Sequence, residues 1–235
     1  MKAHQLVSEF YGTRCALRSK VPLINHINEG LLILDALGEG IDTKQAWCLH
    51  PLLQADFELT NNWAMVCAQM QQESPAAIML AMEYRSVANN FLSDRIVTTH
   101  HPVPAIQLSP IEPVNNMLIA DKVQNRKDFI TYHLGTHHRS AELDLYFSMW
   151  LKALGVTEDD YTRYTALLNS NAAPSSVSDA GTTLGYPTFD DWFNEIESYS
   201  HRSERFYDHL QHTGDSVTVA KQWMKAAFAA AREQN

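Results

Sequence analysis

The sequence predicts an all-α protein, and three observations lead to this prediction. Apolar residues recur at three- and four-residue spacing, most clearly at Ile24, Ile27, Leu31, Leu34 and Leu37. Glycine or proline stands between many of these segments, where helices begin or end. The chain contains no convincing run of alternating apolar and polar residues, which a half-buried strand would show. A helical bundle is therefore the expected architecture.

The predicted helices can be followed in chain order. The pattern covers residues 3–17, 23–37, 43–50, 59–72, 75–84, 114–132 and 142–154. Asp42 or Thr43 is the expected N-cap of the third helix. Pro51 has no amide hydrogen and crowds the preceding turn, so we expect it to kink or end that helix just after His50. Four prolines between residues 96 and 113 predict a loop or extended crossing.

The domain organisation is predicted as one helical domain over residues 1–155 and a helical extension over 156–235. A segment near 169–185 is rich in Ser, Ala, Gly and Thr and is the best linker candidate. Two amphipathic helices, over 189–210 and 217–232, are expected after it. Their aromatic residues would either cover the first domain or pair with a second subunit to form a homo-oligomer.

Composition excludes several classes of partner. The formal net charge of -9 argues against nucleic acid or an anionic membrane as the main partner, because both favour clustered Lys and Arg. Three scattered cysteines without a CxxC pair predict reduced thiols rather than a disulfide framework. The N-terminus lacks the apolar core of a signal peptide, and no apolar run is long enough to span a bilayer. We therefore expect a cytoplasmic protein.

Three polar residues stand out because they interrupt apolar, helical patterns. They are His26 in VPLINHINEGLLIL, His50 in AWCLHPLLQAD and Asp121 in NNMLIADKVQNRKDF. An uncompensated polar group in such a setting would be costly. Convergence of the three on one metal ion is the hypothesis that explains all of them, whereas core hydrogen bonds for the histidines and an ion pair for Asp121 are the alternatives.

Three segments in this order resemble the HD-domain superfamily of metal-dependent phosphohydrolases, nearest to the RelA/SpoT-type and small alarmone hydrolases. RSKVPLINH is similar to the basic loop, proline and first metal-binding histidine of that family. AWCLHPLLQ is similar to the segment with the His-Asp pair, and MLIADKVQNRKDF to the helix with the last metal aspartate. The likeness spans roughly residues 5–155, and it implies an HD-domain-like helical bundle.

The resemblance also implies a function and a set of roles. The expected activity is hydrolysis of a nucleotide or related phosphate ester, with a divalent cofactor: manganese first, or iron, cobalt or magnesium. Metal ligands would be His26, His50 and Asp121. Substrate would be held by Arg18, Lys20 and Asn125. Imidazole and carboxylate ligands suit a divalent ion that polarises a phosphorus–oxygen bond and acidifies water.

The sequence departs from this family at the positions that do acid chemistry. Pro51 stands where the aspartate of the His-Asp pair is expected, and Gln54 and Ala55 stand in place of an acidic pair. Gln54 can orient a water molecule but cannot accept its proton. Asp56 follows, and a helix broken at Pro51 would allow it to reach the site, so Gln54 and Asp56 are the predicted catalytic residues.

Two alternatives remain, one that follows from these departures and one, found among other HD-superfamily relatives, that follows from additional histidines. The first is a catalytically degenerate HD domain that binds a nucleotide or a protein partner without turnover. The second is a di-iron oxygenase, to which His100 or His101 would contribute additional imidazole ligands.

Overall fold

The computed structural model describes residues 1–16, 19–93, 105–137 and 139–169. Regular structure within these ranges is helical, without a sheet, and this confirms the all-α fold class. The helices are α1 (Lys2–Tyr11), α2 (Ile24–Ala36), α3 (Ile41–Leu53), α4 (Asp56–Met70), α5 (Pro75–Asn90), α6 (Glu112–Tyr132), α7 (Ser140–Ala153) and α8 (Glu158–Asn169). Several predictions lie outside the described residues, namely Arg18, His100, His101, nearly all of the linker and the two C-terminal helices. The domain division therefore stays a prediction.

Helix α3 is the central element of the fold. It packs against α1, α2, α4, α5 and α6, and most of its side chains are buried, including Trp47, Leu49 and Leu52. A helix surrounded in this way is apolar on nearly every face. Its polar residue His50 is therefore held inside the core of the bundle.

Two expectations about the ends of α3 are wrong. The helix begins at Ile41 with Gly40 as its N-cap, so Asp42 and Thr43 lie in its first turn. It continues through Pro51 to Leu53, and the Gln54 amide donates to the His50 carbonyl at 2.8 Å. A proline removes a single amide donor, and the burial of α3 on several helices compensates for that loss.

Helices α2 and α3 approach each other closely at Gly30. A Cβ atom at this position would lie 2.1 Å from the Trp47 indole. The indole Nε1 donates to the Ile27 carbonyl of α2 at 3.0 Å. The Trp47 ring therefore fills the space of the missing side chain, and this brings His26 on α2 close to His50 on α3.

Helix α6 is the longest of the described helices and packs against α2, α3, α5, α7 and α8. Lys127 of α6 contacts both carboxylate oxygens of Glu29 on α2 at 2.6 Å. This ion pair links α2 to α6 six residues after Asp121.

None of the described helices is long and apolar enough to cross a membrane.

Candidate metal centre

Three helices bring His26, His50 and Asp121 together. The Nε2 atoms of the two histidines lie 3.3 Å apart, and His26 Nε2 lies 3.6 Å from Asp121 Oδ1. One donor atom from each residue lies within 4.8 Å of the others. His50 and Asp121 are buried, and His26 is partly exposed. The cluster could hold a metal ion at the wall of a cleft.

The orientation of His26 is set by Gln124. His26 Nδ1 lies 2.6 Å from Gln124 Oε1, and the Gln124 amide nitrogen donates to Glu29 at 3.0 Å and to Asp128 at 2.8 Å. Because two carboxylates accept from the amide nitrogen, the amide oxygen must face the imidazole. His26 therefore carries a proton on Nδ1 and presents Nε2 to the cluster.

The orientation of His50 is set by the main chain. Its Nδ1 donates to the Trp47 carbonyl at 2.6 Å, which leaves Nε2 to face His26. Burial, with a smaller contribution from His26, lowers the pKa of His50 from 6.5 to about 3. The imidazole is therefore neutral near pH 7, with a lone pair on Nε2.

Because each imidazole carries its proton on Nδ1, the two Nε2 atoms face each other without a hydrogen on either. Two lone pairs at this separation repel unless a proton or a cation lies between them. Ligand atoms about 2.1 Å from one ion lie roughly 3.0 to 3.4 Å apart in octahedral or tetrahedral geometry. The 3.3 Å and 3.6 Å separations are close to that spacing.

Asp121 is held as a carboxylate by its neighbours. Burial alone would raise the pKa of this carboxyl, but the Lys122 ammonium and the two histidines more than offset burial, and the pKa is lowered. Lys122 Nζ lies 2.6 Å from Asp121 Oδ2, and Asn125 Nδ2 donates to Oδ1 at 2.7 Å. Because Lys122 is itself buried, the ion pair is only weakly screened by solvent.

The cluster opens onto a cleft of about 780 Å³. Of the residues predicted to act on substrate, Gln54 and Asn125 line this cleft. Asp56 lies outside the lining and pairs with Arg85. Lys20 is exposed in the turn before Pro22, also outside the lining.

Besides Lys122, the cleft wall contains the basic residue Arg14. Its guanidinium donates to the Phe10 and Tyr11 carbonyls at 2.5 Å and 3.2 Å and lies 4.6 Å from the centre of the Phe10 ring. These contacts hold the side chain against α1. The cleft wall therefore carries a positive charge held in place at Arg14.

No protein-family model, curated protein or solved structure matches this chain. The resemblance to HD-type phosphohydrolases therefore stays a prediction.

Two residues of the cleft, Gln124 and Glu58, were not among the predicted site residues, and no sequence signal marks Gln124. The ion pair that was the alternative prediction for Asp121 is present, with Lys122 as the partner. Glu58 lies in the first turn of α4, where an acidic residue is expected merely to stabilise the helix N-terminus. Its Oε2 is buried without a hydrogen-bond partner. Burial raises the pKa of this carboxyl, although Arg14 acts in the opposite direction.

Proposed function

We propose that this protein is a metal-dependent phosphohydrolase of the HD type that acts on a nucleotide or related phosphate ester. The observation that carries the proposal is the pair of Nε2 atoms of His26 and His50, 3.3 Å apart and both turned away from their Nδ1–H partners. Asp121 completes the set with a carboxylate oxygen. This arrangement favours a cation over the alternative of three separate core hydrogen bonds.

The donor set narrows the choice of ion. Two imidazole nitrogens and one carboxylate oxygen suit Mn²⁺, Fe²⁺ or Co²⁺, whereas Mg²⁺ prefers oxygen ligands. Pro51 contributes no donor, so His26, His50 and Asp121 would hold the ion by themselves, with its remaining positions open to the cleft. When bound, the ion supplies Lewis-acid polarisation of a phosphorus–oxygen bond and increases the acidity of water.

The charges of the cluster favour an anionic substrate. The Asp121 carboxylate is already neutralised by the Lys122 ammonium, and His50 is neutral. A divalent ion added to this set would leave a local excess of about two positive charges in a partly enclosed cleft, where opposite charges attract strongly. Arg14 adds a further positive charge to the wall. A phosphate group would balance this excess.

Glu58 is the residue that we assign to proton transfer. It lines the same cleft, its Oε2 is buried without a hydrogen-bond partner, and burial raises the pKa of its carboxyl, which makes it a better proton acceptor than an exposed glutamate. Gln54 lines the cleft as well and can orient a water molecule through its amide. Asn125 donates to Asp121 Oδ1, so its first role is to position that carboxylate.

The second candidate is a protein that binds a nucleotide without hydrolysing it. The observation that favours it is the cleft wall at Pro51, Gln54 and Ala55, which carries no carboxylate at the positions where the resemblance expects three. Under this alternative Glu58 would be a half-buried acid without a role in turnover. The two candidate functions differ in whether the bound nucleotide or phosphate ester is hydrolysed.

The first experiment is a measurement of metal content by elemental mass spectrometry on protein purified without chelators. We expect about one equivalent of transition metal in the wild type, loss of this metal in His50→Ala and retention in His4→Ala, which removes an imidazole outside the cleft. Absence of metal from the wild type after incubation with Mn²⁺, Fe²⁺ or Co²⁺ would overturn the metal site. A panel of nucleotides and phosphate esters then separates hydrolysis from binding alone.

A further inference from the structure

We propose that Pro51 is a positioning residue that selects the tautomer of His50. The proline leaves the Trp47 carbonyl without its usual helical donor, and His50 Nδ1–H takes that place. The consequence for metal binding rests on the proposed function, whereas the tautomer of His50 can be measured without any metal.

The geometry of α3 explains why residue 51 matters. In an α-helix the carbonyl of residue 47 accepts from the amide of residue 51. Proline has no amide hydrogen, so this bond cannot form. The helix nevertheless continues to Leu53, and Trp47 is completely buried. Its carbonyl therefore lacks a backbone donor at a place where an unsatisfied acceptor is costly.

His50 supplies the missing donor. Its Nδ1 lies 2.6 Å from the Trp47 carbonyl oxygen, which is a short, well-formed hydrogen bond. If the proton moved to Nε2, the imidazole would place the Nδ1 lone pair against a carbonyl oxygen, and that oxygen would lose its donor. The buried carbonyl thus favours the Nδ1–H tautomer and leaves the Nε2 lone pair directed at His26.

The aromatic contacts of His50 cannot make this selection. The ring centre lies 4.3 Å from that of Trp47 and 5.0 Å from that of Tyr84. These rings fix the plane of the imidazole by packing, but packing does not depend on which nitrogen carries the proton. The hydrogen bond to the main chain is therefore the contact that distinguishes the two tautomers.

An ordinary residue at position 51 would weaken the selection. Its amide would donate to the Trp47 carbonyl, so the Nε2–H tautomer would no longer leave that acceptor unsatisfied. Residue 51, where the resemblance expects a metal-binding aspartate, would then have a different role in this chain. It prepares the neighbouring histidine rather than contacting the cation.

The test compares wild type with Pro51→Ala by ¹⁵N NMR of the histidine side chains. The spectra are recorded on metal-free protein with a chelator, at about pH 8, above the ordinary pKa of histidine. We expect His50 to be a single Nδ1–H tautomer in the wild type and a mixture of tautomers in the variant. Pro75→Ala, at the first position of α5, is the matched control and should leave His50 unchanged.

Affinity for Mn²⁺ and thermal stability give the second readout. Pro51→Ala should weaken Mn²⁺ binding in proportion to the fraction of His50 that leaves the Nδ1–H tautomer, about twofold for an even mixture and about tenfold where nine-tenths has left. It should also raise the melting temperature, because a helix-interior proline is removed. General damage to the fold would instead lower both the Mn²⁺ affinity and the melting temperature.

Two outcomes would overturn the inference: an Nε2–H tautomer of His50 in the wild type, or a pure Nδ1–H tautomer with unchanged Mn²⁺ affinity in Pro51→Ala. Failure of the proposed function is a separate result. The inference is supported, and the metal site refuted, if His50 is the Nδ1–H tautomer in the wild type and a mixture in Pro51→Ala while the wild type binds no Mn²⁺.

Discussion

The indole of Trp47 occupies the space that a side chain at residue 30 would need. The glycine there allows α2 and α3 to approach so closely that a Cβ atom would lie 2.1 Å from the Trp47 ring. The same ring lies 4.9 Å from His26 and 4.3 Å from His50, measured between ring centres. One close contact between two helices thus places both imidazoles.

Gly30→Ala is expected to destabilise the fold and separate the two histidines. Alanine is the better helix former by about 1 kcal/mol, but overpacking against a buried indole typically costs about 1–3 kcal/mol, so the net change should be a loss. Urea denaturation measures it. Gly40→Ala is the control for the added Cβ, because a Cβ there meets nothing within 4 Å and only the loss of a glycine N-cap, about 1 kcal/mol at most, is expected. Equal stability of Gly30→Ala and wild type would contradict the close contact.

Gln124→Leu is expected to weaken Mn²⁺ binding by about 10- to 100-fold, because His26 Nδ1 would lose its acceptor. Lys127 would still pair with Glu29 and Asp128, so the fold should persist. Isothermal titration calorimetry with Mn²⁺ is the measurement. Gln5→Leu removes an exposed amide on α1 and should leave the affinity unchanged. An unaltered affinity in Gln124→Leu would mean that Gln124 does not orient His26.

Lys122→Met should have opposite effects on the metal-free and metal-bound protein. Loss of the ammonium leaves the buried Asp121 carboxylate without its lysine partner, with Asn125 and His26 still beside it, and breaking such a buried ion pair costs about 3–5 kcal/mol. The same change removes a positive charge beside the cation, so Mn²⁺ should raise the melting temperature more in the variant than in the wild type. Lys44→Met, which removes a partner of the exposed Asp35, is the control. A smaller Mn²⁺ effect in Lys122→Met would contradict the prediction.

Glu58→Gln is expected to reduce hydrolysis by at least about 100-fold while Mn²⁺ still binds, because the amide cannot accept a proton. Initial rates on the best substrate of the panel, with metal content measured in parallel, test this. Asp56→Asn is the comparison: its carboxylate pairs with Arg85 outside the cleft lining, so its rate should stay close to that of wild type. A fast Glu58→Gln and a slow Asp56→Asn would restore Asp56 as the catalytic acid.

The helical class could be predicted from sequence because it follows from local pattern, whereas the meeting of His26, His50 and Asp121 was a hypothesis that the HD resemblance supported. An apolar stripe at helical spacing defines a buried face, and a polar residue within it must find a partner. The identity of that partner is a different matter. Gln124 contacts a residue almost a hundred positions away, and nothing in its own helix indicates this.

The continuation of α3 through Pro51 shows why the rule that a proline ends a helix failed here. Considered alone, a proline in mid-helix ends the helix, and this expectation pointed to Asp56 as the acid that would swing into the site. Tertiary burial on several neighbouring helices keeps α3 intact to Leu53. Because the chain then turns at Ala55 into α4, Glu58 rather than Asp56 lines the cleft.

The three proposed ligands come from the consecutive helices α2 and α3 and from α6, which is distant in sequence and adjacent to both in the fold. A cation shared by them would act as a cross-link that closes long loops of the chain. Such a link has to break before these helices can separate, so it would slow unfolding more than it speeds folding if the centre forms late. The lifetime of the native state, and not only its chemistry, would then depend on the supply of metal.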